Sequence, residues 1–348
     1  MTRSLVNHAH VRRAPDVMLR RMLGRVSADT STTEPVEELE RRLAELLGKP
    51  RALFFPTGTM AQQVALRIHA ESTGRWGFTG HRTNHLVLWE QQGYAAVHGL
   101  RYLPAGDAHS PLTRAQLDDV GERPGTLLIE LPQREIGGLL PTWDELGEQL
   151  GWASDQGAAA HLDGARLWEA QPFYDRPYGD IAGLFDTVYV SLYKGLGGVR
   201  GAVLAGDDDF VAEAAVWRQR LGGAIPDAWP LAIAALVGLD ELPARMAEFR
   251  DHAVAIAAAL TADGTATVHP NPPVTPMFHV HLPVGAEAAT RAAKAMLDER
   301  DVQVLVRAQS QPLPDRSRFE LTVGENAMEF TPDEVAALVV ELVERAGG

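Results

Sequence analysis

The sequence predicts an α/β fold, with a large domain built on a mainly parallel sheet and a smaller C-terminal α+β domain. From residue 34 to about residue 247, short buried apolar segments alternate with amphipathic helical segments, which is the pattern of parallel strands joined by helices. Near residue 248 the pattern changes to a shorter mixture of strands and helices. The length of 348 residues suffices for both units. We therefore predict an N-terminal segment at 1–33 that packs on the large domain, the large domain at 34–247 and the small domain at 248–348.

Composition narrows the classes of function. The net charge of −14 argues against sequence-blind binding of nucleic acid. No apolar run approaches the ~18–20 residues that span a bilayer, so we expect no membrane partner. The chain has no cysteine, which excludes disulfides, thiolate catalysis and cysteine-ligated metals. The N-terminal arginines are not followed by an apolar stretch, so we predict no signal peptide and a cytoplasmic location.

The first strand of the large domain leads into a loop suited to an anion. An amphipathic helix is predicted at 34–47 and a short buried strand at 52–55. Thr57, Gly58 and Thr59 then join this strand to a second helix. The unsatisfied N–H groups and the dipole of a helix N-terminus attract an anion, and the two hydroxyls add donors. A plain threonine N-cap is the alternative interpretation.

Polar residues follow the next predicted strands. His85 comes after a segment at 76–81 and opens a short helix; capping or packing is its alternative role. A buried strand is predicted at 127–131, and another ends at Asp163, which Arg166 follows. A carboxylate and a guanidinium at the carboxyl end of a strand lie where open α/β sheets bind ligands. A local salt bridge between the two is the alternative.

A single lysine lies in a glycine-rich turn between predicted strands at 186–190 and 202–205. Lys194 is followed by three glycines within four residues. Burial at a strand end lowers the pKa of a lysine and makes its amine a nucleophile. We therefore interpret Lys194 as the residue that holds a carbonyl cofactor as a Schiff base. A lysine that simply reaches solvent is the alternative that this segment leaves open.

The remaining chain completes the two domains. His279 and His281 lie on one face of a strand; a half-exposed face is the preferred interpretation, because a metal would need a third ligand and none is evident. No metal is predicted. The other predicted helices are at 17–23, 142–156, 207–221, 228–247, 248–261, 286–299 and 331–345, and the other predicted strands are at 277–282, 302–307 and 317–323.

Together these residues form the set that pyridoxal 5′-phosphate requires. The loop at Thr57, Gly58 and Thr59 would cradle the phosphate. Lys194 would form the Schiff base, and Asp163 would pair with the pyridinium nitrogen. A ring stacked on the cofactor is the natural role for His85, so the sequence predicts a pyridoxal-phosphate enzyme.

The order of these motifs resembles the low-specificity L-threonine aldolases and related β-eliminating lyases. The matching segments are Phe54–Met60, His85–Val97, His161–Leu167 and Ser191–Gly197. The resemblance covers roughly residues 34 to 345. It implies an aspartate-aminotransferase-like fold of fold type I, and a homodimer or homotetramer with the active site at the subunit interface.

The chain departs from the family pattern at positions that concern the substrate. Gln133 stands where the family has a histidine that contacts the substrate hydroxyl, and Glu320 stands where it has a carboxylate-binding arginine. Arg318, two residues earlier on the same strand face, is the predicted replacement. By resemblance, Arg166 contacts the cofactor or the substrate carboxylate. Tyr193 replaces the usual serine before the lysine.

The resemblance implies retro-aldol cleavage of a β-hydroxy-α-amino acid to glycine and an aldehyde. A base must remove the proton of the β-hydroxyl, and His85 or a water beside it is the candidate. β-Elimination or transamination on the same fold is the second hypothesis. A non-catalytic α/β binding protein is the third, although no Gly-x-Gly-x-x-Gly turn or Walker-type loop supports it.

Overall fold

The computed structural model describes residues 2–6, 14–262 and 264–347 and has an α/β fold. Its strands are β1 (Arg3–Ser4), β2 (Arg51–Phe55), β3 (Gly77–His81), β4 (Arg101–Ala105), β5 (Thr126–Glu130), β6 (Ala159–Gly164), β7 (Thr187–Ser191), β8 (Ala202–Gly206), β9 (Thr267–His269), β10 (Met277–Leu282), β11 (Val302–Gln303), β12 (Gln309–Ser310) and β13 (Ser317–Thr322). Its α-helices are α1 (Pro15–Leu23), α2 (Glu34–Leu47), α3 (Gly58–Thr73), α4 (His85–Trp89), α5 (Gly93–His98), α6 (Arg114–Asp118), α7 (Trp143–Gln156), α8 (Leu167–Tyr174), α9 (Tyr178–Gly183), α10 (Asp208–Arg220), α11 (Trp229–Glu241), α12 (Met246–Thr261), α13 (Ala286–Arg300) and α14 (Pro332–Gly347).

The chain forms two compact units. The larger contains Arg13–Glu135 and Leu140–Pro243, and the smaller contains Met1–Arg12, Ile136–Leu139 and Ala244–Gly348. Residues 1 and 7–13 of the predicted N-terminal segment lie outside the described residues. Strand β1 pairs with β11 in the smaller unit, whereas α1 packs on α11 in the larger one. The boundary between residues 247 and 248 stays a prediction from the sequence.

A seven-stranded sheet in the order β2-β8-β7-β6-β5-β3-β4 forms the centre of the larger unit. Strands β7, β6, β5, β3 and β4 are parallel; β8 is antiparallel to both of its neighbours, so β2 runs in the common direction. The predicted mainly parallel sheet is therefore confirmed. The carboxyl ends of β2, β3, β5, β6 and β7 meet at one edge, which is where sheets of this kind bind ligands.

At the outer edge of the sheet, side chains form hydrogen bonds with backbone groups of β2. The backbone N–H of Phe54 donates to Glu40 Oε1 at 2.7 Å, and its carbonyl accepts from Arg218 Nη1 at 2.6 Å. An edge strand otherwise presents unpaired backbone groups, which are costly when they are buried. Glu40 on α2 and Arg218 on α10 therefore fix the end of β2 that leads into Thr57.

Antiparallel strands form the main sheet of the smaller unit, in the order β12-β13-β10-β9. Phe319 and Leu321 are buried, whereas Arg318 and Glu320 alternate with them and lie on the other face. His279 is buried and His281 half-buried, so the predicted half-exposed face is wrong for His279, whose Nδ1 lies 3.4 Å from Arg318 Nη1. No group of three or more ligating side chains in the described chain could hold a metal.

Most predicted elements are confirmed, and the exceptions have local causes. The predicted helix at 228–247 ends at Glu241, because Pro243 interrupts it before α12 begins at Met246. The predicted strand at 302–307 forms a bridge only over Val302–Gln303, whose partner β1 is equally short. Strand β4 was not predicted; it contains Pro104, which only an edge position tolerates. No helix of the described residues has both the length and the apolar character needed to cross a bilayer.

The close packing of α11 on the lysine turn leads to a testable stability effect. A Cβ at Gly238 would lie 1.8 Å from the carbonyl oxygen of Leu196. Gly238→Ala must therefore displace either α11 or the lysine turn. We expect it to lower the free energy of unfolding by about 1–3 kcal/mol, as measured by urea denaturation. The control is Gly147→Ala in α7, where no atom lies within 4 Å. That change should raise stability by up to about 1 kcal/mol, and equal losses in both variants would contradict the packing argument.

Candidate active site

The sequence-predicted residues of the larger unit come together at the carboxyl edge of its sheet. Thr57 follows β2, His85 follows β3, Asp163 is the penultimate residue of β6, and Lys194 follows β7. The last residue of β5, Glu130, is directly opposite Asp163 in the parallel register. The sheet topology therefore brings residues distant in sequence to one edge.

Lys194 lies in a tightly folded turn and is half-buried. The N–H of Gly198 donates to the carbonyl of Leu192 at 2.9 Å, and a Cβ at Gly198 would approach that oxygen to 2.5 Å. Burial lowers the pKa of Lys194, and the charge of Arg166 lowers it further. The neighbouring carboxylates oppose this shift without reversing it. The amine is thus more available as a nucleophile than an ordinary lysine.

Two carboxyl groups face this lysine. Asp163 is 2% exposed, and its Oδ1 accepts a hydrogen bond from the N–H of Ala165 at 3.0 Å. Burial raises the pKa of Asp163, while the charge of Lys194 acts in the other direction. Burial and the adjacent Asp163 raise the pKa of Glu130 to about 8. Burial therefore makes both carboxyl groups costly to ionise, which favours a cationic or protonated ligand beside Asp163.

A line of buried polar groups lies behind Asp163. His69 Nε2 is 2.7 Å from Thr187 Oγ1, which is 2.8 Å from His161 Nδ1. His161 Nε2 is 2.8 Å from Gln62 Oε1, and the Gln62 side chain lowers the pKa of Asp163. Burial lowers the pKa of both histidines, to about 4 for His69, so both rings are neutral. The contact with His161 takes the side-chain oxygen of Gln62, which leaves its buried amide nitrogen for another acceptor.

The predicted anion loop opens a 16-residue helix. Thr57 Oγ1 accepts from the N–H of Met60 at 3.2 Å, so the alternative interpretation of Thr57 as an N-cap is correct. Gly58 is required here because a Cβ would lie 2.2 Å from the hydroxyl of Tyr189. The side chain of Thr59 bonds to Glu90, a carboxyl group whose pKa burial raises. A capped first turn still points its N–H groups toward an anion.

His85 is held at the start of α4 beside the same carboxyl groups. Its backbone N–H donates to Glu130 Oε2 at 3.3 Å, and its ring Nε2 lies 3.9 Å from Glu90 Oε1. Burial, followed by the charge of Lys194, lowers the pKa of His85 to about 3. The imidazole is therefore neutral at physiological pH, a form that can stack on a ring or accept a proton.

Comparison with known proteins assigns this arrangement to a family. The family model for beta-eliminating lyases matches residues 14–283, which is more than half of the chain. The chain belongs to the beta-eliminating lyase family. Members of this family are pyridoxal-phosphate-dependent enzymes.

Similar proteins agree with that assignment. The low-specificity L-threonine aldolase of Escherichia coli K12 is 32% identical over 263 residues, 73% of this chain and 78% of that protein. An aldolase of Penicillium aethiopicum is 33% identical over 213 residues, 58% of this chain and 53% of that one. The crystal structure of a candidate L-allo-threonine aldolase from Listeria monocytogenes is 34% identical, with a TM-score of 0.90 over 99% of this chain and 96% of that chain.

The residues at the sheet edge fit the cofactor of the beta-eliminating lyases. Lys194 offers an amine with a lowered pKa, and Asp163 offers a buried carboxylate opposite it. The α3 N-terminus provides a place for a phosphate, and the neutral His85 ring lies among the same groups. This donor set matches a phosphorylated pyridine aldehyde better than it matches a metal, for which the described residues offer no ligand group.

All three residues that were predicted to contact the substrate already make polar contacts within the protein. Arg166 Nη1 lies 3.1 Å from each carboxylate oxygen of Glu169, and both side chains are at most 6% exposed. Gln133 is buried, and its amide donates to the carbonyl of Thr83 and to Glu130, each at 3.2 Å. Arg318 lies in the smaller unit, where its Nε donates to Gln309 at 3.0 Å.

The sequence-based reasoning missed four polar residues of this edge, namely Gln62, Glu90, Glu130 and Arg134. Glu130 was detectable, because it ends a predicted strand that would run parallel to the one ending at Asp163. Gln62 lies one turn into the helix after the anion loop, where a period-of-four argument could have placed it on the sheet side. No pattern in the sequence distinguishes Glu90 or Arg134 from surface residues.

Proposed function

We propose that this chain is a pyridoxal-phosphate-dependent aldehyde lyase that cleaves a β-hydroxy-α-amino acid to glycine and an aldehyde. The observation that carries the proposal is the Lys194 amine, its pKa lowered by burial, beside the buried Asp163 in a chain of this family. The L-threonine aldolases among its relatives supply the reaction class.

Each residue of the cluster has a proposed role. Lys194 attaches the cofactor, Asp163 pairs with its ring nitrogen, and the Thr57-Gly58-Thr59 loop holds its phosphate. Pyridoxal phosphate supplies an electron sink for the electron pair of the broken Cα–Cβ bond. Asp163 is suited to its role because a cation beside it offsets the cost of a buried carboxylate.

His85 is proposed to stack on the cofactor ring and, directly or through a water, to take the proton of the β-hydroxyl. A neutral imidazole is the form that this step requires. Its depressed pKa makes it a weak base in the ligand-free site, so the step needs a change in the charges around it. Glu90, 3.9 Å from the ring, is positioned to stabilise the imidazolium when it forms.

Other features of the proposal rest on the sequence and the resemblance. Arg166, Arg318 and Gln133 remain proposed contacts for cofactor or substrate. We also propose a homodimer or homotetramer with the site at the subunit interface, and a cytoplasmic location.

The test is product identification. The purified enzyme, loaded with pyridoxal phosphate, is incubated with threonine, allo-threonine and phenylserine, and glycine, aldehyde, keto acid and ammonia are quantified. We expect glycine and aldehyde in equal amounts from at least one substrate. A keto acid, with or without ammonia, and no glycine would instead assign β-elimination or transamination to the site.

A further inference from the structure

An α-amino-acid substrate brings a carboxylate into the site, and that group needs a cationic partner. An unpaired carboxylate in a closed site is costly. By the sequence resemblance, Glu320 stands where the threonine aldolases have a carboxylate-binding arginine. A partner must therefore come from elsewhere, and the inference that follows rests on the proposed function.

Arg134 lies directly beside the catalytic cluster of the larger unit. Its backbone N–H donates to Glu130 Oε1 at 3.1 Å, while Glu130 Oε2 accepts from the N–H of His85. The guanidinium carbon lies 5.3 Å from the centre of the Trp89 ring. His85 and Trp89 are four residues apart on α4 and share one helix face. Arg134 is thus one helical turn from the proposed base.

Glu135 fixes the orientation of this arginine. Its Oε1 accepts from Trp89 Nε1 at 2.9 Å and from Arg134 Nη1 at 3.1 Å. The side chains of Arg134 and Glu135 are 16% and 11% exposed, so the pair is largely shielded from water. A guanidinium carries five N–H donors in a planar fork that suits a carboxylate. An indole face and an acidic partner therefore hold a planar cation in place, near enough to His85 and Lys194 for its charge to lower the pKa of both.

We propose that Arg134 binds the α-carboxylate of the amino-acid substrate and so determines which substrates the site accepts. Arg166 is less suited, because its Nη1 contacts both carboxylate oxygens of Glu169 and neither side chain is more than 6% exposed. Arg134 is more exposed, at 16%, and shares Oε1 of Glu135 with Trp89. Gln133 is less suited, because its amide bonds within the loop to Thr83 and Glu130.

Binding of a carboxylate to Arg134 would also change the pKa of His85, because the charge of Arg134 acts on that ring. Burial lowers the pKa of His85 most, and nearby positive charges, Arg134 among them, lower it further. A carboxylate bound to Arg134 would offset that charge, so the pKa of His85 would rise when substrate is present. The base would become effective only in the occupied site.

The test compares two ligands of the pyridoxal-phosphate-loaded enzyme by calorimetric titration. Glycine carries the carboxylate and methylamine lacks it, while both present the same amine. We expect Arg134→Gln to weaken glycine binding by about 10- to 100-fold and to leave methylamine binding unchanged. Arg134→Lys keeps the positive charge but lacks the planar guanidinium, so it should weaken glycine binding less than Arg134→Gln does. Visible absorption of the bound cofactor confirms that each variant is loaded.

Arg176→Gln is the matched control, because Arg176 also stacks on an indole, that of Trp143 at 4.3 Å, on an exposed part of the larger unit. It should bind both ligands as the wild type does. Unchanged glycine binding in Arg134→Gln, equal loss of both ligands, or loss confined to Arg318→Gln would overturn the proposal. If the wild type yields no glycine from any substrate, the proposed function fails; alanine and ethylamine then repeat the comparison, since every α-amino acid carries the carboxylate.

Discussion

Lys194→Ala is expected to abolish covalent attachment of pyridoxal phosphate and to lower glycine formation by about 10³-fold or more. The reason is that the proposed nucleophile is removed, while no other lysine lies at the sheet edge. Lys49 bonds to the carbonyl of Phe185, and Lys294 is exposed on α13. The measurement is borohydride reduction of the loaded protein followed by peptide mass spectrometry, with glycine quantified in parallel.

Lys294→Ala is the control for this prediction and should retain both the label and the activity. The pH dependence of labelling adds a second readout. Because burial lowers the pKa of Lys194, cofactor attachment to the protein should persist at a lower pH than attachment to an exposed lysine would. A label on Lys49 or Lys294 in the wild type, or full activity in Lys194→Ala, would refute the role of Lys194.

The sequence predicts the location of the site because parallel strands place their carboxyl ends at one edge. Lys194 and Asp163 each follow a buried apolar run, and strand direction alone brings them together. The same reasoning reaches Glu130, once its strand is recognised as a neighbour of β6. Residues whose position depends on backbone topology were therefore predictable.

The contacts of the side chains were not predictable, because they depend on local turns. Motif comparison draws attention to position 133, yet the turn after β5 bonds both Gln133 and the backbone of Arg134 to Glu130. The next residue, rather than the matching one, then carries its cation beside Trp89. Likewise the partner of Arg166 is Glu169, one turn along α8 and outside the compared motif.

Asp163→Asn should lower the activity of the loaded enzyme and raise the stability of the cofactor-free protein. In the loaded enzyme, the neutral amide leaves the ring nitrogen of the cofactor without its anionic partner. The loss of a partner from a buried charge pair costs about 3–5 kcal/mol, which corresponds to a fall in kcat of about 10²–10⁴-fold. Cofactor affinity, measured by fluorescence titration, should fall as well.

The cofactor-free protein should respond in the opposite direction. Burial raises the pKa of Asp163 above its ordinary value, so the folded state holds this proton more tightly than the unfolded state does. The stability contribution of the protonated group is therefore present at low pH and is lost as the pH rises through the folded pKa. Asp163→Asn removes this pH-dependent loss of stability. It also removes the charge repulsion by which Asp163 raises the pKa of Glu130.

The variant should therefore unfold at a higher temperature than the wild type when both lack cofactor, and the difference should grow as the pH rises above the ordinary pKa of an aspartate. Asp180→Asn, at an exposed position of α9, should change stability by no more than about 0.5 kcal/mol. A purely structural aspartate would lose stability and activity together on substitution. If Asp163 instead destabilises the cofactor-free protein and binds the charged ring of the cofactor, the Asp163→Asn variant should be less active and more stable. Opposite changes in activity and stability would therefore assign Asp163 to cofactor binding.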